Sequence, residues 1–127
     1  MQVSFLMDHD MAISHRSVCP IACTLDILGD RWTLLVIRDM LFFEKQRFEE
    51  FLESSEGIST NILAQRLRQL EAAGLIEKHP YSSHPRRMNY VLTEKGRSLR
   101  PVLRSMIVWG LRNVPNTQVP DASSRPS

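Results

Sequence analysis

Glycine, cysteine and long apolar runs are all scarce in this chain, and each scarcity closes off a class of protein. Five glycines, Gly29, Gly57, Gly74, Gly96 and Gly110, stand singly, so neither a Gly-x-Gly phosphate loop nor a Gly-x-Ser-x-Gly nucleophile turn can be built. Two cysteines, Cys19 and Cys23, are too few for a disulfide framework or a zinc site on cysteine alone. The apolar stretches at 34–37 and 40–43 are interrupted by Arg38 and Asp39, far short of the ~20 residues a membrane helix needs. No basic segment followed by an apolar run marks a secretion signal at the N-terminus. His15, His79 and His84 are scattered, without the i, i+4 pairing of a helical metal site. The expectation is a cytoplasmic protein that is not an enzyme, needs no metal or cofactor and does not meet a membrane.

What is present is a polarised charge distribution. At 127 residues and 43% hydrophobic content, the chain can bury one modest core and gains from a partner subunit. Its net charge of +2 conceals two opposite halves. Residues 1–57 hold five Lys/Arg against ten Asp/Glu, whereas residues 58–112 hold ten against three. A basic half suits a polyphosphate partner, since each neutralised phosphate releases a counterion. A solvated face with chance asymmetry is the plainer reading of the same numbers.

Periodicity and punctuation predict mainly helix with one small β-hairpin. Residues 1–17 read as an N-terminal arm, 18–112 as the folded domain, and 113–127, with three prolines and three serines, as a disordered tail. Pro20 opens a helix striped with Ile21, Leu25 and Leu28 and ended by Gly29. Asp30 is the expected cap of a second helix, with Trp32, Leu35, Val36 and Met40 on its buried side. A third, short helix fits residues 48–52. Ser59 should cap a fourth, whose Ile62, Leu63, Leu67 and Leu70 face the core and whose Thr60, Asn61, Gln65 and Arg68 face outward. Gly74 ends it. Residues 75–81 and 88–93 then read as strands joined by a basic loop, and Thr93 caps a last helix carrying Leu99, Val102, Leu103, Met106, Ile107 and Trp109. That apolar face is broader than a small domain can hide, so part of it should meet a second copy. Pro101 inside this helix removes a hydrogen bond, which predicts a kink near residues 97–101.

A capped helix with a cationic outer face, followed by a hairpin with arginines at its tip, is an arrangement that sets a helix into a DNA groove. Asn and Gln pair naturally with adenine and Arg with guanine, which makes Ser59, Thr60, Asn61, Gln65 and Arg68 candidate contacts on the helix. Arg86 and Arg87 suit phosphates or a narrow minor groove.

The ordered set Cys19-Pro20-Ile21, Leu25-Asp26, Gly29-Asp30-Arg31-Trp32, Phe48, Gly57-Ile58-Ser59, Leu63, Leu67-x-x-Leu70-Glu71-x-x-Gly74-Leu75, Tyr81, Pro85, Tyr90-x-Leu92-Thr93-x-x-Gly96 and Leu99 resembles the HxlR-type winged helix-turn-helix transcriptional regulators, a MarR-like family, over residues 19–110. Two places depart from the family's pattern. Phe42-Phe43-Glu44-Lys45-Gln46-Arg47 stands where a short Gly- or Pro-containing turn is usual, and Arg86 stands where a second proline is common. The resemblance implies a homodimer that pairs through terminal helices and sets two recognition helices into successive major grooves of double-stranded, pseudo-palindromic operator DNA. It also implies a redox-sensing candidate, because some members sense oxidants or electrophiles through a cysteine immediately before this proline, the place Cys19 occupies. The position itself favours a thiolate, at the positive end of a helix; a small packed residue near the dimer seam is the plainer role. A small-molecule or oxidant effector is therefore an expected partner. The alternative is a winged-helix adaptor that meets proteins without reading DNA, since fold does not fix function.

Overall fold

The computed structural model describes residues 17–80 and 87–121, and among them the chain forms six helices and one β-hairpin. The chain divides into two units, Met1–Asp30 and Arg31–Ser127. In the first, α1 (Pro20–Leu28) starts with proline in its first turn and has Cys19 at its N-cap. Gly29 closes it, its N–H bonding to the Leu25 carbonyl at 2.8 Å. Ile21 and Leu25 are exposed on this helix.

In the second unit, α2 (Thr33–Phe43) buries six of its 11 residues. It does not begin where expected. Trp32, not Asp30, is its N-cap, because residues 30–32 form a turn and the first helical bond runs from Val36 N to Trp32 O at 3.0 Å. Its buried residues are Thr33, Val36, Ile37, Asp39, Met40 and Leu41, while Trp32 and Leu35 are half-buried. The turn after it is made by Glu44, a non-glycine residue in the left-handed region with φ 56°, a conformation uncommon for residues with a Cβ. Arg47 then precedes α3 (Phe48–Phe51), and the Glu50 carboxylate accepts from Gln46 N at 2.8 Å and Arg47 N at 3.0 Å. These bonds satisfy backbone donors that a one-turn helix leaves without partners. They also hold the Glu50 carboxyl below its ordinary range.

Helix α4 (Thr60–Ala72) buries Leu63, Leu67 and Leu70, three positions that fall on one face at 3.6 residues per turn. Together with Val36, Ile37, Met40, Leu41, Phe51, Ile58, Leu75, Ile76 and Leu103 they form the core. The strands β1 (Ile76–Pro80) and β2 (Met88–Leu92) pair antiparallel, with Ile76 opposite Leu92 and Pro80 opposite Met88. On the side facing α3, Tyr90 N bonds to the Gln46 carbonyl at 2.7 Å and the Tyr90 ring meets Phe51 edge-on, centroids 6.4 Å apart.

The expected kink at Pro101 is a full break. Thr93 caps a single turn, α5 (Glu94–Arg97), its Oγ1 accepting from Gly96 N at 3.1 Å. A new helix, α6 (Arg100–Asn113), then starts with Pro101 in its first turn, where the missing N–H costs nothing. Arg100 joins α6 to α2 by donating to the Leu41 carbonyl and lying over the Phe42 ring, 5.3 Å from its centroid. Past the helix, residues 114–121, assigned by composition to a disordered tail, are placed. Thr117 Oγ1 bonds to the Gly110 and Val114 carbonyls, and residues 118–121 line a cleft of about 180 Å³ with Arg38, Phe43, Lys45 and Ser54. Local side-chain to backbone bonds supply order that polar composition alone does not reveal. No helix among the described residues is long and apolar enough to cross a membrane.

Candidate nucleic-acid interface

Ser59 fixes where the outward helix begins. Its backbone is extended, its hydroxyl accepts from Ile62 N at 3.2 Å, and its carbonyl takes the first helical bond from Leu63 N. Burial of Leu63, Leu67 and Leu70 then dictates the opposite face, where Asn61, Gln65 and Arg68 are all exposed. Thr60 is exposed in the first turn beside Ser59. The five candidate residues on this helix therefore lie on an accessible surface. Sequence patterning also left two neighbours out. Gln69 is exposed one position on from Arg68, and Arg66 donates to Gln65 Oε1 at 3.1 Å, which orients the Gln65 amide. Their helical spacing places Gln69 on the outer face as clearly as Arg68, whereas the Arg66 bond depends on rotamers that spacing does not specify.

The far end of α4 is tied to the hairpin. Gly74 takes φ 78°, the left-handed value that turns the chain out of the helix. Three groups from the β2–α5 junction then capture the backbone there. Thr93 Oγ1 donates to the Gly74 carbonyl at 2.7 Å, Lys95 Nζ to the Ala73 carbonyl at 2.9 Å, and Thr93 N to the Leu75 carbonyl at 3.0 Å. Gly96 packs so tightly here that a Cβ would sit 2.2 Å from the Leu75 oxygen. Arg87 is exposed at the start of the strand that leaves the loop; Arg86 lies outside the described residues.

The near end of α4 is braced by charges that spacing along the chain does not group. Asp39, 2% exposed, accepts from Arg38 Nε and Nη2 at 3.0 and 2.8 Å and from the Ser54 hydroxyl, with Lys45 Nζ at 3.6 Å. Arg38 also forks onto both oxygens of Glu56, each at 2.8 Å. Burial opposes the charged guanidinium, but the hydrogen bond to Glu56 and the Asp39 charge outweigh it and raise the Arg38 pKa. The same bond from Arg38 holds the Glu56 carboxyl down at about 2.

Cys19 is exposed, its N–H donating to Ser17 Oγ at 2.9 Å, and Cys23 is half-buried with its thiol 3.3 Å from the Ser17 carbonyl. Among the described residues, no group of three or more His, Cys, Asp and Glu could hold a metal ion. Chemically, the α4 surface offers neutral amides and cations to a polar, anionic partner and no nucleophile with a base beside it.

Residues 27–118 match the model of the HxlR-like helix-turn-helix family. An HTH-type transcriptional regulator of Synechocystis is 42% identical over 89 residues, 70% of this chain and 65% of that protein, so the chain spans just under two thirds of that relative. Among solved structures, the redox regulator HypR in its oxidised form superposes with a TM-score of 0.66 at 35% identity, over 80% of this chain and all of HypR. The reduced form of the transcriptional regulator YodB from Bacillus subtilis gives 0.65 at 32% identity, again over 80% of this chain and all of YodB.

Proposed function

Because the chain belongs to the HxlR-like helix-turn-helix family of transcriptional regulators, we propose that it binds operator DNA directly, as a homodimer, with α4 as its reading helix. The observation that carries this is the outer face of α4, where Asn61, Gln65 and Arg68 are exposed together beside Ser59 and Thr60. Amide and guanidinium groups there can pair with base edges, while backbone phosphates are met by the first turn and by Arg86 and Arg87 of the hairpin loop. Dimerisation is supported by what α6 leaves uncovered. Trp109 is 64% and Met106 52% exposed, with Val102, Val108 and Leu111 also open, more apolar surface than a small monomer keeps in water. The first helix adds exposed Ile21 and Leu25. Two copies would read half-sites about one helical turn apart, or a multiple of it.

Cys19 is the thiol that an oxidant or electrophile would reach first, being exposed where Cys23 is half-buried. The structural neighbour HypR is a redox regulator, which supports a redox-responsive reading here, with exposed Cys19 as the sensing residue. The test is a gel shift on the DNA flanking the protein's own gene, with reductant and oxidant in parallel and salt varied. Binding that weakens with salt and responds to oxidant in the wild type but not in Cys19→Ser is the expected result. Absence of any shift at low salt overturns the DNA reading and favours a protein adaptor; a shift indifferent to oxidant overturns only the sensing role.

A further inference from the structure

Glu56 stands three residues before the Ser59 cap, and between them lie Gly57, with φ 74°, and buried Ile58. The segment that delivers the chain into α4 is thus pinned at two points, by Ile58 in the core and by Glu56 on Arg38. Arg38 is itself immobilised. Its side chain is 12% exposed and bonded to Asp39, which also takes the Ser54 hydroxyl and the Lys45 ammonium. Ser54 and Glu56 belong to the same connection, so the carboxylate of α2 and the guanidinium beside it hold that connection at two nearby points. Fork geometry constrains the angle of a carboxylate as well as its distance.

We infer that Arg38 and Glu56, seated on buried Asp39, are positioning residues for the reading helix: the pair sets the direction in which α4 leaves Ser59. This rests on the proposed DNA-binding role for one of its two tests and is independent of it for the other. Glu56 is the member to alter, because its side chain is 30% exposed and the Arg38 guanidinium keeps its two bonds to Asp39 when Glu56 is neutralised, whereas removing Arg38 would leave Asp39 buried with less compensation.

The experiment compares Glu56→Gln with Glu49→Gln, which removes the same charge from an exposed position on α3. Removing a negative charge from a protein that binds phosphates tightens binding by electrostatics alone. Glu49→Gln should therefore bind the operator as well as the wild type or better. Glu56→Gln should bind about tenfold more weakly, the scale on which contacting pairs couple, at a temperature where circular dichroism shows both variants folded. In the free protein, amide exchange at residues 58–63 should quicken in Glu56→Gln and stay unchanged in Glu49→Gln. Equal or tighter binding by Glu56→Gln, or unaltered exchange at 58–63, overturns the inference. Should the wild type bind no DNA, the regulator reading fails while the exchange result still decides whether the pair holds the helix.

Discussion

On the proposed DNA-binding role, Gln65 and Arg87 would offer different chemistry to a duplex, and their substitutions should fail in different ways. Gln65 lies on the outer face of α4 with its amide oriented by Arg66, so Gln65→Ala should cost ~1–3 kcal/mol at one base pair of the operator and little elsewhere. Arg87, exposed at the root of the loop, should behave as a phosphate contact. Arg87→Ala should weaken all duplexes alike and lower the salt slope by ~1, which a titration at several salt concentrations on operator and scrambled DNA would separate. At this scale the sequence was readable where structure is local. Ser59, Gly74 and Thr93 announce themselves because a cap or a left-handed turn involves groups within a few residues. Asp39 was not readable, because a carboxylate is buried only if partners arrive from elsewhere, and its partners Lys45 and Ser54 come from the two connections that follow α2.

Elements, rather than single residues, decide how the hairpin is carried. The β-hairpin is short and two-stranded, which alone would be marginal in water; it is held by its base against the end of α4. Gly96 is the contact that permits this. Gly96→Ala would drive a methyl into the Leu75 carbonyl and the Leu92 side chain, and should cost about 1–3 kcal/mol, measured by urea unfolding, with loosened protection of the strand amides. The sequence placed both strands and the turn before them within a residue or so, because Gly74 before them and the Thr93 cap after them bound the hairpin. It misplaced the start of α2 and the nature of the last helix. Asp30 is a good cap by residue type, yet a turn intervenes before Thr33; Pro101 was weighed as an interior residue, whereas a break at Ser98 and Leu99 makes it an initiating one.

On the scale of the whole molecule, assembly and binding should stand or fall together. Trp109 is the largest exposed apolar side chain on α6, and Trp109→Lys should shift the protein toward monomer in sedimentation experiments while leaving its helical content intact. Operator affinity should fall with it, since one half-site alone supplies about half of the phosphate contacts; a stable dimer in this variant would remove α6 from the interface. The acidic and basic halves recognised in the sequence take on meaning here, because the Glu- and Asp-rich segment braces a connection while the basic one carries the outward helix. The three bonds from Thr93 and Lys95 to the carbonyls at residues 73–75 tie the base of the hairpin directly to the end of the helix. Under the proposed DNA-binding role, an operator would therefore keep a constant phase inside each half-site: inserting one base pair between the bases met by α4 and the backbone met by the hairpin should be as damaging as mutating the bases themselves.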